Sequence, residues 1–134
     1  MRYQRAELPL RIDSLAAARR FLAGCLADCD QKRESLFVAH VDERARCLQL
    51  SHYEGDETGA GFPFRSIIAD AATLGSAGLI LAHNHPSGDP TPSEPDRRVT
   101  RKLAAAIEAL DCTVLDHLVF AGTGCTSFRR AGLL

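Results

Sequence analysis

The stretch that decides the fold spans residues 78–96 and reads GLILAHNHPSGDPTPSEPD. Residues 79–82 are wholly apolar, which predicts a short strand buried on both faces. The loop that follows, residues 83–95, contains four prolines and Gly88, so its backbone is stiff. A helical pattern begins at Asp96. This order of buried strand, rigid loop and helix predicts an α/β fold that holds polar side chains at the end of a strand.

The segments on either side continue the alternation of strands and helices. Ser14 can cap a helix that extends to about Leu26. Two β-rich runs, residues 35–41 and 46–52, flank a short turn and predict a hairpin. Apolar spacing predicts two more helices and two more strands, at residues 63–74, 96–110, 113–120 and 127–128. We therefore expect a single-domain α/β fold in which a sheet is sandwiched by helices.

Composition excludes several classes of protein. A chain of 134 residues has the length of one domain, and 46% hydrophobic with 25% charged residues is an ordinary globular balance. The most apolar run, residues 78–82, is far shorter than the roughly 20 residues of a membrane span. The first dozen residues read as a lead-in without the apolar core of a signal peptide. We expect a cytoplasmic protein that does not contact a membrane.

Charge and cysteine content narrow the choice further. Sixteen basic and 17 acidic residues give a net charge of −1, which disfavours tight binding to nucleic acid. Four basic residues on the last predicted helix leave a weak nucleic-acid interaction open, and they are Arg97, Arg98, Arg101 and Lys102. The five cysteines form no Cys-x-x-Cys pair. We therefore expect small buried thiols in a reducing compartment, not a disulfide framework or a Cys-ligated zinc.

Two histidines directly follow the apolar strand. His83 and His85 are separated by one residue, so in an extended segment both side chains lie on one side and can bind one cation. The rigid loop delivers Asp96 to the first turn of a helix, from which its carboxylate can face the strand end. Two imidazoles and one carboxylate form a three-ligand set. With zinc, such a set leaves a fourth position for water, which is typical of catalytic sites.

Part of this pattern has a second explanation. Ser93 and Asp96 have the Ser-x-x-Asp spacing of a capping box, which by itself predicts only the start of a helix. A single histidine at a strand end is usually a surface polar group. The combination of His-x-His, a constrained loop and the later carboxylate favours a metal site over these separate explanations.

The same residues resemble the JAMM signature of the JAB/MPN metalloprotease superfamily. That signature is His-x-His, seven residues, Ser, two residues and Asp, and it is matched by His83, His85, Ser93 and Asp96. The resemblance implies a JAB/MPN-like, cytidine-deaminase-like sheet with one catalytic zinc per chain at a strand end. It also implies that His83, His85 and Asp96 are the zinc ligands.

Details outside the ligand set are similar to the bacterial RadC-like branch of this superfamily. These are the run HNHPSG at 83–88, Asp116-His117 before the end of the last long strand, and Ser127-Phe128. The resemblance covers residues 32–134. It therefore divides the chain into a JAB/MPN domain at 32–134 and an N-terminal extension at 1–31 with one helix packed on the domain.

The resemblance also implies catalytic roles. Glu34, just before the first strand, matches the superfamily glutamate that hydrogen-bonds the zinc-bound water and transfers its proton. Ser93 matches the residue that stabilises the oxyanion of a tetrahedral intermediate. The implied function is that of a JAMM-type zinc metallopeptidase, a hydrolase that cleaves a peptide or isopeptide bond in a polypeptide substrate. Specificity is expected in the loops at 53–62 and 84–92.

Two other functions remain open. One is a DNA-repair-associated accessory protein, because the branch carries that label, and the other is a metal-binding scaffold without catalysis. The residues before Glu34 are too few for the helix-hairpin-helix module that the branch commonly carries, which disfavours DNA binding. The branch's Pro-Arg-Glu is only partly kept, as PFRS at 63–66. Non-catalytic relatives have lost ligands, whereas this chain keeps all three with Glu34 and Ser93, which favours the enzyme.

Four further polar residues have structural explanations. We expect His40 to face outward from its strand and His52 to lie at a strand end on the surface. Asp116 and His117 lie on a late strand. His117 or Asp116 can orient the metal site, or the two can form a buried, hydrogen-bonded structural pair, and the sequence favours neither.

Overall fold

A computed structural model of the protein describes residues 10–55 and 58–134. Most of the predicted lead-in and two residues of the 53–62 loop lie outside the described residues. The helices are α1 (Leu15–Ala27), α2 (Phe64–Leu74) and α3 (Glu94–Ile107), which continues into a 3₁₀ turn at Glu108–Leu110. The strands are β1 (Ser35–Val41), β2 (Cys47–Glu54), β3 (Gly78–Asn84), β4 (Thr113–Ala121) and β5 (Gly124–Ser127).

Within the described residues, the five strands form one mixed sheet in the order β2-β1-β3-β4-β5. β1 pairs antiparallel with β2, which confirms the predicted hairpin, and also antiparallel with β3. β3 and β4 are parallel, and α3 forms the crossover between them. The metal-site residues predicted from the sequence therefore lie at the carboxyl end of a central strand.

The alternation of side chains along β1 and β3 separates two apolar layers. One layer joins α1 to the first face of the sheet and includes Leu22, Leu26, Phe37, Ala39, Ile80 and Ala82. The other joins α2 and α3 to the second face and includes Ile67, Leu103, Ile107, Val38, Leu79 and Leu81. His83 continues the Leu79 and Leu81 series, so strand alternation directs its ring to the face that carries α3. The α/β sandwich predicted from the sequence is confirmed.

The element boundaries differ from the prediction where neighbours extend or cap them. β3 runs to Asn84 because β1 and β4 pair with it on both sides, so His83 lies in the strand and not in the loop. α3 begins at Glu94 because Ser93 is its N-cap and Pro95 is tolerated in the first turn. The last strand ends at Ser127 instead of starting there.

Two expectations about histidines are wrong. His40 is not outward-facing but fully buried, and its Nδ1 lies 2.9 Å from Oγ of Ser76, because the turn after α2 covers that part of the sheet. His52 lies within β2, half-buried, with its ring stacked on Phe37 at a centroid distance of 4.4 Å. Helix α1 packs against the first face of the sheet, and the division at residues 31 and 32 stays a prediction. Across the described ranges, no helix has the length and apolarity that crossing a membrane requires.

Candidate metal centre

The two histidines of the motif converge at the carboxyl end of β3. Their Nε2 atoms are 2.9 Å apart, and their rings meet edge to face at a centroid distance of 4.7 Å. This is the result expected for residues two positions apart on an extended segment. The far side of the His85 ring is fixed by the loop, because its Nδ1 lies 2.8 Å from the carbonyl oxygen of Asp89.

Asp96 approaches the same point from the start of α3. Its Oδ2 is 2.9 Å from Nε2 of His85, and its Oδ1 is 3.3 Å from Nε2 of His83. The capping box is also present: the Ser93 amide donates to Oδ2 of Asp96 at 2.9 Å, and the Asp96 amide donates to Oγ of Ser93 at 3.1 Å. The two explanations of this spacing are therefore compatible, since one carboxylate both caps α3 and faces the histidines.

Glu34 enters the site because β1 is antiparallel to β3. Leu36 is paired with His83, and continuing this register brings Glu34 opposite His85. Oε1 of Glu34 lies 3.7 Å from Nε2 of His83, and both side chains are almost completely buried. One ligand atom each from Glu34, His83, His85 and Asp96 lies within 4.8 Å of all the others. The structure thus brings together four of the five predicted site residues around one point.

The donor set fits a divalent cation with a preference for nitrogen and oxygen ligands. Two imidazoles and one or two carboxylates are the ligands that zinc takes in catalytic sites. Clustered carboxylates of this kind, partly withdrawn from water, need a positive charge or protons to offset their own charge. His83, His85 and Asp96 would hold the ion, with Glu34 at its margin.

The electrostatics of the cluster favour an ionised Asp96. Burial opposes ionisation, but hydrogen bonds with His83 and His85 outweigh it and hold the pKa of Asp96 well below its usual range. The hydrogen bond with Asp96 in turn raises the pKa of His85 above its ordinary value. The carboxylate is therefore charged at neutral pH and available as a ligand.

Ser93, the fifth predicted site residue, lies on the open side of the cluster. It lines a cleft of about 330 Å³ together with Glu34, His85 and Asp96. Because Oγ of Ser93 accepts a hydrogen bond from the Asp96 amide, its own proton can point toward a group in the cleft. On the inner side, a small cavity of about 40 Å³ is lined largely by apolar groups, among them Phe62 and Val99. The cluster thus lies between this larger cleft and the small, mostly apolar cavity.

The Asp116-His117 pair is hydrogen-bonded, since the His117 amide donates to Oδ1 of Asp116 at 2.8 Å, and its two side chains have different further contacts. Nε2 of His117 lies 2.7 Å from Nδ1 of His83, so this ring contacts the candidate ligand directly. Asp116 turns away and accepts hydrogen bonds from the Ser127 hydroxyl at 2.6 Å and the Arg129 amide at 3.1 Å. His117 therefore supports the site, whereas Asp116 joins β4 to the C-terminal segment.

Asn84 is a supporting residue that the sequence analysis did not identify. Its Oδ1 accepts a hydrogen bond from the Ser35 amide at 2.7 Å, and its Nδ2 donates to the Arg33 carbonyl at 2.8 Å. One amide side chain therefore holds the backbone on both sides of Glu34. Its position between the two histidines was the available signal, but 49 positions separate it from Ser35. Only the pairing of β1 with β3 shows the contact.

Comparisons with known proteins agree with the geometry. A family model described as the RadC-like JAB domain matches residues 12–133. A UPF0758 protein of Aliivibrio fischeri is 33% identical over 131 residues, which are 97% of this chain and 58% of that protein. A UPF0758 protein of Cupriavidus pinatubonensis is 38% identical over 129 residues, which are 96% of this chain and 56% of that protein. The chain thus spans somewhat more than half the length of these relatives, whose names state no activity.

Proposed function

The chain belongs to the RadC-like JAB domain family, and on that basis we propose that it is a zinc-dependent hydrolase that cleaves a peptide or isopeptide bond. The observation that carries the proposal is the convergence of Glu34, His83, His85 and Asp96 within 4.8 Å at the wall of an open cleft. His83, His85 and Asp96 are the proposed ligands of one zinc ion per chain. Zinc bound there would supply Lewis-acid chemistry and lower the pKa of a water molecule toward 7.

The chain's own side chains supply the remaining steps. Glu34 is the proposed general base, because its carboxylate borders both the histidine cluster and the cleft. It accepts a proton from the attacking water and returns it to the leaving amine. The Ser93 hydroxyl donates a hydrogen bond to the oxygen that becomes negatively charged as the carbonyl carbon is attacked. The peptide C–N bond breaks and the amine leaves with the proton from Glu34.

The surroundings of the site support a polypeptide substrate in a reducing compartment. Glu34, His85, Ser93 and Asp96 line a cleft of about 330 Å³, which a segment of polypeptide would enter to reach the cluster. No disulfide joins the cysteines of the described residues, which supports the cytoplasm as the proposed compartment.

The proposal is tested with two classes of peptide probe and a matched pair of variants. The zinc-loaded chain is incubated with a mixed library of fluorogenic quenched peptides and with peptides that carry an isopeptide bond to a lysine side chain. Glu34→Gln should keep the zinc and lose the cleavage rate by about 100- to 10,000-fold, because it removes the general base. Glu43→Gln, an exposed glutamate in the β1–β2 turn, should cleave like the unmodified protein.

Two results would contradict this assignment. An unchanged rate in Glu34→Gln would remove Glu34 from the mechanism. Failure of the zinc-loaded chain to cleave either class of probe would count against a peptide or isopeptide hydrolase.

A further inference from the structure

Two short motifs outside the ligand set lie side by side in the fold, the Asp-His pair of β4 and the Ser-Phe pair at the end of β5. Leu118 is paired with Ser127 in the antiparallel register of these two strands. Just beyond this pair, the Phe128 amide donates to the His117 carbonyl at 3.0 Å. The two motifs therefore form one unit, although 11 positions separate Asp116 from Ser127 along the chain.

The Asp116 carboxylate fixes the chain on both sides of Phe128. Its Oδ2 accepts from the Ser127 hydroxyl at 2.6 Å, and its Oδ1 accepts from the Arg129 amide at 3.1 Å. Asp116 and Ser127 are only 8% and 9% exposed, so water competes little for these hydrogen bonds. Phe128 lies between the two anchored residues, and its place in the fold is set from both directions.

The Phe128 ring supports one face of the His117 imidazole. It is 1% exposed, and the two rings are stacked at a centroid distance of 4.6 Å and an interplanar angle of 17°. The edges of the imidazole are also held, because Nδ1 of His117 lies 2.7 Å from Oγ1 of Thr100 and Nε2 lies 2.7 Å from Nδ1 of His83. Whichever group donates in these two contacts, a ring held at one face and at both nitrogens has little freedom to tilt.

We propose that Phe128 and Asp116 are positioning residues for the candidate ligand His83. They act through His117, which contacts the ring of His83 directly. This inference rests on the metal-binding function proposed above. A tilt of the His83 ring would move its Nε2, the atom that lies 2.9 Å from Nε2 of His85. The C-terminal segment is therefore part of the metal site in function, although none of the three proposed ligands lies in it.

The test measures the zinc affinity of the folded full chain after the support is removed in two independent ways. Phe128→Leu keeps a buried apolar side chain but removes the flat face that supports His117. Its affinity for zinc, measured by competition with a chromophoric chelator, should fall by about 10-fold, the lower end of the range for groups that orient ligands. Asp116→Ala releases Ser127 and Arg129 while keeping the phenyl ring, and it should lower the zinc affinity to a similar extent.

Two control variants separate positioning from charge and from stability. Asp116→Asn removes the charge, but it keeps an oxygen for the Arg129 amide and an amide group that can donate to Oγ of Ser127, so it should retain most of the zinc affinity. Leu22→Ala removes a fully buried side chain from the α1 layer on the other face of the sheet. It should destabilise the fold and leave the zinc affinity of the folded protein unchanged, as a purely structural role of Phe128 would also predict for Phe128→Leu.

A second readout needs no metal. In ¹H–¹³C spectra of the metal-free protein, the Cε1–H signal of His83 should be sharp in the unmodified chain and in Leu22→Ala. It should broaden in Asp116→Ala, because a ring that has lost its support exchanges between positions.

Unchanged zinc affinity in either folded variant, Phe128→Leu or Asp116→Ala, would overturn the proposal, and so would an equal loss in Leu22→Ala. If one of the two variants does not fold, the other still decides. If the unmodified chain binds no zinc, the proposed function fails, and the His83 signal then decides the positioning separately. An equally sharp signal in Asp116→Ala would overturn it.

Discussion

Replacing Asn84 with alanine tests how the strand that carries the histidines also holds Glu34. The side chain makes two hydrogen bonds to the backbone beside Glu34, and it is almost completely buried. Each such bond contributes about 0.5–1.5 kcal/mol, so their loss predicts a decrease of about 1–3 kcal/mol in the free energy of unfolding. The decrease should lie toward the upper limit, because the Ser35 amide is left buried without its acceptor.

The assay combines urea denaturation with amide hydrogen exchange at one residue. Asn84 supplies the side-chain acceptor for the Ser35 amide, so Asn84→Ala should greatly accelerate exchange at Ser35 while amides in the centre of β1 stay protected. Gln49→Ala is a matched control. It removes another amide side chain from the sheet, one that donates to Ser51 and Asp70 far from Glu34.

Asn84→Asp separates the effects of the two hydrogen bonds that the Asn84 side chain makes. Aspartate keeps an oxygen to accept from the Ser35 amide, but it presents its second oxygen to the Arg33 carbonyl, where both groups can only accept. Protection at Ser35 should therefore survive, while the protein is still destabilised. The reasoning is refuted if Asn84→Ala leaves the Ser35 exchange rate unchanged, or if Gln49→Ala accelerates it to the same extent.

Three further predictions address the metal, the pH dependence of stability and nucleic acid. Elemental analysis should find about one zinc per chain, lost in His85→Ala, and full retention by that variant would refute the ligand assignment. Burial raises the pKa of the Cys47 thiol from 9.0 to about 11, so the unfolded thiol ionises first. The contribution of the protonated Cys47 thiol to the free energy of unfolding is thus fully present below pH 9 and is lost as the pH rises to 11. Denaturation curves at different pH values should show this decline, and Cys47→Ala should make it smaller. Duplex DNA should bind with a dissociation constant of about 10⁻⁴ M or weaker at physiological salt, the weak end for non-specific binding. The net charge is −1, and Glu94 lies 3.8 Å from Arg97 and 3.7 Å from Arg101, which partly neutralises these arginines. In fluorescence anisotropy, submicromolar affinity with a steep salt dependence would instead favour the nucleic-acid alternative.

The parts of the site that are local in sequence could be predicted from spacing. His83 and His85 share a side because side chains on a strand alternate with a period of two. Asp96 could be placed because a carboxylate in the first turn of a helix can face the residues that precede the helix. Glu34 was identified by resemblance alone. Its approach depends on the register between β1 and β3, and no local pattern encodes that register.

The residues that the sequence analysis missed or misplaced are those whose environment depends on distant elements. Thr100 and His117 meet because α3 packs over β4. The sequence around Thr100 is typical of a helix and that around His117 is typical of a strand, so neither pattern indicates the contact. His40 alternates correctly within β1, but alternation does not reveal that the turn after α2 covers that position. Periodicity predicts which side chains share a face, whereas tertiary packing determines whether that face meets water.

The order of the strands also determines when the candidate centre forms during synthesis on a ribosome. Glu34 leaves the exit tunnel first, the histidines follow with β3, and His117 arrives only with β4, the last long strand. A nascent chain that stops before β4 lacks the ring that orients His83 and the parallel neighbour that flanks β3. An unfinished chain therefore presents Glu34 and the two histidines before all the elements that surround them in the folded domain have been made.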